Sequence, residues 1–551
     1  MKSEMDSRFY AGNRQTLYDT LPDGTVLLLF SGKAVRKTAD EFYPFYASRN
    51  FVYLTGIDRE DIALLAVKEG GAVQETLFLL PPDLLAERWT GTRLKADEAR
   101  RISGVESFAS RGDLPARLTA LLRTGRFAHA ALDLYRYDPA DRETDGILAA
   151  RRLRTEWPAL HLIDVSRQLH RQRTIKQPCE IDAIRKAAEI TRDGILAMMR
   201  ASKPGLYEYQ YKAEFDYALA QHGCLAPAFP SIISAGQNNF CIHYYSYTGR
   251  AEDGDMILND VGAQYDHLFN DVSRGFPCNG TFSERQRRLY TCAYNTSQHM
   301  FSTIRPGMKM ADVDRLAREF NFGQLKALGL CDRYEDVGRY IWHGGAHHVG
   351  WDTHDEVEAE IVQPNMVFCV DIGIYCEEWG IGFRLEDNCL VTEQGCENLT
   401  APTPRTIEDI HADIKKKQKF STEAPEAAER CGAFFMRKRK KNIGICLVIG
   451  FSGWLPAARL RRARPLRGGA PAAAAASAAP AASAAPAPAD AVHHNGGENR
   501  KYQQRYQNSG KIDRSRKMDQ KRSLLFMPAG GGFLSAGNRV PAGLLTRPRP
   551  S

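Results

Sequence analysis

Short apolar runs alternate with segments of helical spacing over the first 165 residues. The runs TVLLLFSG (25–32), FVYLTGI (51–57), IALLAV (62–67) and TLFLLPP (76–82) are typical of buried strands. Between and after them, EARRISG and LPARLTALLRTG carry apolar residues at the three-to-four spacing of helices. This alternation predicts an α/β domain over residues 1–165.

A helix start marks the next boundary. In RQRTIKQPCEIDAIRKAAEITRDGILAMMRA (171–201), Pro178 stands at a first helical position, acidic residues follow it, and apolar residues recur at helical spacing. We therefore predict a second domain over residues 170–405.

Two similar apolar segments of that domain each carry an aspartate. FCVDIGIYC (368–376) reads as a buried strand with Asp371 at its centre, and MILNDVGAQY (256–265) repeats its form around Asp260. Each is followed by a return strand with another acid, Asp271 eleven residues after Asp260 and Glu386 fifteen after Asp371. These spacings predict two antiparallel hairpins and an internally duplicated α+β domain.

Four carboxylates in such hairpins need a reason. A single pair could be a hydrogen-bonded structural pair or an acid/base pair, and side chains that point to solvent would need no partner at all. Four buried carboxylates that converge would repel one another strongly, and bound cations are the physical remedy. The hairpins therefore indicate a metal site, with these alternatives still open.

Four histidines are concentrated in WHGGAHHVGWDTHD (342–355). They are His343, His347, His348 and His354. Two glycines between His343 and His347, and no glutamate directly after the first histidine, disfavour a zinc-binding helix. A loop that presents imidazoles beside strand carboxylates favours a mixed oxygen and nitrogen site suited to manganese, cobalt or zinc. No cysteine follows a ligand spacing, so cysteine ligands are not expected.

Charge is distributed unevenly along the 551 residues. Residues 1–410 hold 47 Lys and Arg against 58 Asp and Glu, whereas 411–551 hold 27 against 8. The mildly acidic body gives no electrostatic support for nucleic-acid binding. Twelve cysteines without a C-x-x-C pair, and an amino terminus without an apolar segment, predict reduced thiols in a cytoplasmic protein.

The basic carboxy-terminal segment has a different character. Residues 411–551 combine charge runs with the Ala/Pro-rich PAAAAASAAPAASAAPAPADA and predict a disordered tail. The apolar stretch 442–455 is shorter than the roughly 20 residues of a spanning helix, so membrane contact is not expected. With the basic residues before it, this stretch resembles a signal peptide, which suggests foreign sequence joined to a complete enzyme, with a C-terminal membrane anchor as the alternative.

The motifs resemble a known family in composition and order. FPSIISAG, IHYYSY, LNDVGAQYDHLFNDVSRGFPCNGTFSERQRRLY, HGGAHHVGWDTHD and GIGFRLEDNCLVTEQGCENLT resemble the catalytic domain of the pita-bread metallopeptidases, aminopeptidase P and prolidase among them. YPFYASRNFVYLTGI and LLAERWTGTRL resemble the amino-terminal domain of that family. The resemblance covers about residues 1–405.

The resemblance implies a centre of two divalent metal ions, with manganese expected and cobalt or zinc as alternatives. The implied ligands are Asp260, Asp271, His347, Asp371 and Glu386. Of these, Asp271 and Glu386 would bridge the ions, which would hold a hydroxide between them. His354 would stabilise the oxyanion, His243 and His343 would line the substrate site, and Arg384 would orient ligand carboxylates. His348 has no role in the family and is expected to be structural.

This chain departs from the family at one ligand. The family usually has Glu-Pro-Gly where this chain has Asp371-Ile372-Gly373, and the aspartate is shorter by about 1.5 Å. We expect the ion held by His347 and Asp371 to be the weaker one. The segment DEVEAEIVQPNMV also lacks the basic residue that the family often carries before the following strand.

The implied function is removal of an N-terminal residue that precedes proline, by an aminopeptidase of the Xaa-Pro type. Prolidase, which cleaves only dipeptides, is the alternative within the fold, and a non-catalytic binding protein is the alternative outside it. The RWTG segment around Trp89 resembles the part of aminopeptidase P that helps to close a neighbouring subunit's site. It favours the aminopeptidase and predicts a homo-oligomer.

Overall fold

The computed structural model describes residues 5–416. The predictions for 442–455 and for most of the basic segment lie outside the described residues. No helix within residues 5–416 is long and apolar enough to cross a membrane.

A mixed six-stranded sheet with helices forms the first part of the chain. The strands are β1 (Thr25–Phe30), β2 (Arg36–Thr38), β3 (Glu41–Phe42), β4 (Ala63–Glu69), β5 (Ala72–Leu79), β6 (Phe108–Ser110), β7 (His129–Leu132) and β8 (His161–Asp164). The helices are α1 (Ser7–Thr20), α2 (Arg49–Thr55), α3 (Leu84–Thr90), α4 (Ala96–Ser103), α5 (Leu114–Arg123), α6 (Asp145–Glu156) and α7 (Ser166–Thr174). The order across the sheet is β6-β5-β4-β1-β7-β8, and β2 and β3 form a separate pair. The α/β expectation holds.

One apolar run of this region is a helix and not a strand. Residues 49–55 form α2, which Ser48 caps at the start and Gly56, in the left-handed conformation, ends. Every residue of α2 is buried, Arg49 and Asn50 included, so no exposed face gives the segment an alternation at helical period. The prediction of a strand at FVYLTGI was therefore wrong.

The second part of the chain repeats one arrangement, a pair of helices followed by a three-stranded sheet. The first copy has α8 (Pro178–Ala201), α9 (Glu208–Gln221), β9 (Ile232–Ala235), β10 (Met256–Val261), β11 (Gln264–Tyr265), β12 (Leu268–Phe269) and β13 (Val272–Pro277). The second has α10 (Glu284–Thr303), α11 (Met310–Ala327), β14 (Val367–Cys376), β15 (Ile381–Val391) and β16 (Cys396–Asn398). The duplicated α+β architecture agrees with the sequence analysis, and Pro178 begins α8 as predicted.

The two carboxylate hairpins are β10–β13 and β14–β15. In the second, Asp371 and Glu386 are direct cross-strand partners. In the first, Asp260 faces Ser273, and Asp271 lies just before β13 and so diagonally across from Asp260. Strands β10 and β13 pack against β15, which brings the two hairpins together.

The compact chain continues beyond the boundary predicted at residue 411. Residues 407–416 are helical, and Ile410 and Ile414 are buried in the main core of the second part. His411 Nδ1 lies 2.7 Å from the carbonyl oxygen of Gly280. Apolar residues at positions 407, 410 and 414 follow helical spacing, which the adjacent lysines obscured. The start of the tail at residue 411 was therefore placed too early.

Candidate active site

Four carboxylates converge between the two hairpins, and each keeps one oxygen without a hydrogen-bond partner. These buried oxygens are Oδ1 of Asp260, Oδ1 of Asp271, Oδ1 of Asp371 and Oε1 of Glu386. Buried acceptors normally have donors, because an unpaired polar atom away from water costs free energy. Unpartnered oxygens from four acids at one place fit divalent cations, which take oxygen ligands.

The other oxygen of two of these acids is held by the protein. Arg384 Nη2 donates to Asp260 Oδ2 at 2.7 Å, and Ser273 Oγ donates to Glu386 Oε2 at 2.8 Å. Ser273 lies directly across from Asp260 in the first hairpin. Each acid is thereby fixed through one oxygen and presents the second to the shared space.

His347 faces the same space from the histidine-rich loop. Its Nε2 lies 3.3 Å from Glu386 Oε1 and 3.6 Å from Asp271 Oδ2. The contact with Glu386 is close but lacks hydrogen-bond geometry, since that oxygen has no hydrogen-bond partner. An imidazole nitrogen and two carboxylates at this separation form the core of a candidate metal centre.

Burial, and then the charges of the neighbouring acids, shift the pKa values of two of these carboxyl groups. Burial raises the pKa of Asp271 well above its ordinary value, and the charges of Glu386 and Asp260 raise it further. Burial and the charges of Asp371 and Asp260 likewise raise the pKa of Glu386. Ions bound among these groups would reverse the effect, because a cation favours the ionised carboxylate that coordinates it.

Asp371 differs from the other acids because a histidine holds it. His343 Nδ1 lies 3.0 Å from Asp371 Oδ2, and His343 Nε2 lies 3.2 Å from the Tyr375 hydroxyl. Burial would raise the pKa of Asp371, but the charge and hydrogen bond of His343 outweigh it and the net shift is downward. His343, which the sequence analysis predicts to line the substrate site, therefore contacts a predicted metal ligand.

His354 lies beside His347 at the candidate metal centre. Its ring centroid is 4.3 Å from that of His347. The positive charge of His347, then burial and then the charge of His243 lower the pKa of His354 to about 3. Both His354 and His243 keep exposed surface. The two imidazoles therefore border the centre on its accessible side.

Buried ion pairs fix the loop that carries His354. The Asp355 side chain is fully buried, with Lys176 Nζ at 3.0 Å from Oδ2 and the Arg173 guanidinium on Oδ1. Arg173 also bonds Asp352 at 2.8 Å. Both basic residues lie between α7 and α8 or at the end of α7, where the two parts of the chain join. The loop is thus held from the interdomain connection.

A cysteine that the sequence analysis set aside belongs to this cluster. Ligand atoms of Asp271, His347, Cys369 and Glu386 all lie within 4.8 Å of one another. Cys369 is fully buried, and Asn388 Nδ2 donates to its sulfur at 3.3 Å and to the Asp271 carbonyl at 2.8 Å. Burial and then the charge of Glu386 raise the pKa of Cys369 well above its ordinary value. Spacing rules missed it, although its position two residues before Asp371 puts both side chains on one strand face.

The remaining predicted residues are placed as follows. Arg384 contacts Asp260, as noted above. His348 packs edge-on against Phe368, with ring centroids 5.7 Å apart. Among the contacts within residues 5–416, none joins His348 to the four acids. Trp89 lies on α3, where its side chain is 83% exposed. Within residues 5–416 no contact links Trp89 to the residues of the candidate metal centre.

Comparison with known proteins identifies the family. Residues 182–393 match the metallopeptidase family M24, and residues 10–128 match the aminopeptidase P N-terminal domain. A solved structure from Bacillus anthracis, assigned to aminopeptidase P, is 34% identical with a TM-score of 0.73, covering 75% of this chain and 99% of that one. The chain belongs to the M24 metallopeptidases, and its fold is the pita-bread fold.

Two further relatives narrow the likeness. The Xaa-Pro aminopeptidase of Escherichia coli K12 is 29% identical over 433 residues, which are 74% of this chain and 98% of the relative. The structure of Escherichia coli aminopeptidase P with the inhibitor Pro-Leu has a TM-score of 0.70 at 27% identity, covering 76% of this chain and all of that one. Within family M24, this chain has the two-domain arrangement of aminopeptidase P.

Proposed function

We propose that this M24 metallopeptidase is an Xaa-Pro aminopeptidase that removes the N-terminal residue of peptides with proline at the second position. The observation that carries the proposal is the set of four unpartnered carboxylate oxygens beside His347, with His354 on the accessible side. The similarity to aminopeptidase P over both domains supports the substrate class.

The ligand set that we propose is Asp260, Asp271, His347, Asp371 and Glu386. Two divalent ions bound there would supply an activated water and polarise the scissile carbonyl. Manganese is the ion that we expect, with cobalt or zinc as alternatives. The residues fit such a centre because four acids each offer a free oxygen and His347 offers a ring nitrogen.

The chain's own residues would position the substrate and stabilise charge. His354 would donate an N–H to the carbonyl oxygen as negative charge develops on it, a contribution of about 2.7–4 kcal/mol for one such donor. His243 and His343 would contact the peptide. Arg384 would hold Asp260 in orientation, and it also bonds the Ile242 carbonyl next to His243 at 3.2 Å.

The direct test uses metal-stripped protein reloaded with manganese, cobalt or zinc. Xaa-Pro dipeptides, Xaa-Pro-Yaa tripeptides and matched Xaa-Ala-Yaa tripeptides are offered in parallel. We expect release of the first residue from Xaa-Pro-Yaa and no release from Xaa-Ala-Yaa. Hydrolysis of dipeptides alone would identify a prolidase. Two bound ions without any hydrolysis would identify a non-catalytic binding protein.

We further propose that the enzyme is a homo-oligomer in which Trp89 reaches a neighbouring subunit's site. Helix α3 has no buried residue, and Leu84, Leu85 and Trp89 are 78%, 66% and 83% exposed. Trp89→Ala should raise KM for tripeptides more than for dipeptides, with Tyr43→Ala, on another exposed aromatic, as the control. A monomer by sedimentation with full activity would contradict the proposal.

A cytoplasmic location is proposed from the thiols. The ten cysteines among the described residues are all free, and seven of them are buried. Cell fractionation with a tagged chain tests this location. Recovery of the active enzyme outside the cytoplasmic fraction would contradict it.

A further inference from the structure

The thiol of Cys369 lies where a metal ligand is needed. Strand β14 turns alternate residues to one face, so Cys369 and Asp371 point the same way. The backbone N–H of Cys369 donates to the His347 carbonyl at 2.7 Å, which ties the cysteine to a proposed ligand. Its sulfur and the ligand atoms of Asp271, His347 and Glu386 lie within 4.8 Å of one another.

Asp371 does not belong to that close set of four, although the family resemblance makes it a ligand. Its Oδ2 is engaged by His343 Nδ1 at 3.0 Å. Aspartate is also shorter than the glutamate that the family usually carries here, by about 1.5 Å. A centre with this substitution has a weakened oxygen ligand on the side where the sulfur lies.

Two features place the sulfur beside acid oxygens that lack hydrogen-bond donors. Asp271 is 3% and Glu386 1% exposed, and each presents an oxygen without a hydrogen-bond partner to the same space. The sulfur accepts one hydrogen bond, from Asn388 Nδ2 at 3.3 Å, which fixes the side chain and leaves electron pairs for a cation.

We propose that Cys369 Sγ is a ligand of the ion held by Asp271, His347 and Glu386, and that it raises the affinity of the centre for zinc and cobalt relative to manganese. The inference rests on the metallopeptidase function proposed above. As the sulfur–metal bond forms, the thiol proton leaves to the solvent. Thiolate favours softer ions, whereas manganese favours oxygen. Manganese can still be the ion in the cell if it is the more available one.

The first test is a spectrum and needs no turnover. Metal-free wild-type enzyme, Cys369→Ser and Cys376→Ser are each loaded with Co²⁺. Cys376 is the matched control because it is fully buried on the same strand but on the opposite face. We expect a sulfur-to-cobalt charge-transfer band in the wild type and in Cys376→Ser, and its loss in Cys369→Ser. Visible cobalt bands should remain in all three proteins.

The outcomes distinguish the proposal of a Cys369 ligand from the proposal of a metallopeptidase. Visible cobalt bands without a charge-transfer band that depends on Cys369 would overturn the sulfur ligand and leave the metal centre intact. Absence of any cobalt band in folded wild-type protein would overturn both. Because Cys369→Ser could fail to fold, X-ray absorption on zinc-loaded wild type gives a second measurement. We expect a sulfur shell at about 2.3 Å, and its absence would overturn the inference.

Selectivity is tested by competition with a chelator of known affinity. Cys369→Ser should lower zinc affinity by at least the roughly 10–100-fold that loss of a residue supporting a metal ligand costs, and manganese affinity by clearly less. Equal losses for both ions would overturn the claim that the sulfur sets selectivity.

Discussion

The two hairpins have the same sequence pattern, but their acidic residues occupy different positions in the strand pairing. In the second hairpin, Asp371 and Glu386 face each other across β14 and β15. In the first, Asp260 faces Ser273, and Asp271 lies beyond the paired residues. Ser273 then bonds Glu386 of the other hairpin at 2.8 Å. A duplicated motif can therefore conserve where its acids converge while the strand pairing beneath them differs.

The glycine of each D-x-G motif also serves a different purpose. A Cβ atom on Gly262 would lie 1.8 Å from the Asn270 carbonyl oxygen, so this glycine permits a close approach of backbone to backbone. A Cβ atom on Gly373 would lie 2.2 Å from His343 Nε2. The first glycine serves the fold of its hairpin, and the second makes room for a residue of the site.

The largest difference between the hairpins is expected when the first aspartate of each, Asp260 or Asp371, is replaced by alanine. Titration of Mn²⁺ into metal-free wild type should show two unequal sites, with activity following the weaker. Asp371→Ala should leave about one ion bound and abolish turnover, because the ion that it shares with His347 is lost. Asp260→Ala is the matched variant and should remove the other ion. Two equally tight sites, or two ions retained in Asp371→Ala, would show that the ligand assignment is wrong.

The histidine-rich loop is bonded to the second hairpin. Substitution of its His354 tests whether this residue acts on the substrate and not as a metal ligand. Backbone bonds from Cys369 to His347 and from Asp371 to Gly345 join the loop to β14. His354→Ala should lower kcat by roughly 10²–10³-fold while both ions stay bound. Metal analysis beside the kinetics provides the check. Loss of an ion would mean that His354 is a ligand.

Replacement of Gly262 should mainly lower stability, whereas replacement of Gly373 should mainly change catalysis. Gly262→Ala meets backbone that cannot withdraw, so it should cost at least the roughly 1–3 kcal/mol of overpacking in the free energy of unfolding. Gly373→Ala meets a side chain, so the unfolding free energy should fall less while KM and kcat change as His343 moves. Denaturant unfolding and steady-state kinetics on both variants measure this. The same loss of stability in both would contradict the distinction.

The last prediction concerns the helix at the end of the described chain, residues 407–416, which packs next to the end of the first hairpin. Ile414 packs beside Gly280, three residues after β13. A chain ending at residue 416 should keep the melting temperature and activity of the full chain. A chain ending at residue 410 should melt earlier, since burial of one isoleucine contributes about 1.5–3 kcal/mol. Identical melting of the two truncated chains would contradict the role of the last helix.

Sequence patterns predicted the elements better than their pairing. The strands around Asp260 and Asp371, the start of α8 and the irregular histidine loop follow from local pattern and turn chemistry. The diagonal offset of Asp271 does not, because register depends on how the connection between the strands folds. That connection turns at Asp266 and His267, both with positive φ. No glycine marks this turn.

Two other misses share a physical cause. Helix α2 is buried on every side, so no exposed face produces a helical period in its sequence. Cys369 has no ligand neighbour at a recognised sequence spacing, and it comes within 4.8 Å of Asp271, 98 positions earlier in the chain, only when the two hairpins pack together. Tertiary contacts created both features, and a local reading of the chain does not contain them.

The ion pairs around Asp355 join the loop that carries His354 to the connection between the two domains. Arg173 and Lys176 reach Asp355 across 182 and 179 positions of sequence, from the connection between the two domains. A rotation of the amino-terminal domain about this connection would pull on Asp355, the immediate neighbour of His354, before it disturbed any carboxylate of the hairpins. If His354 has the role proposed for it, a displacement at this connection would change kcat, whereas the four carboxylates are held by the two hairpins and would keep their metal affinity.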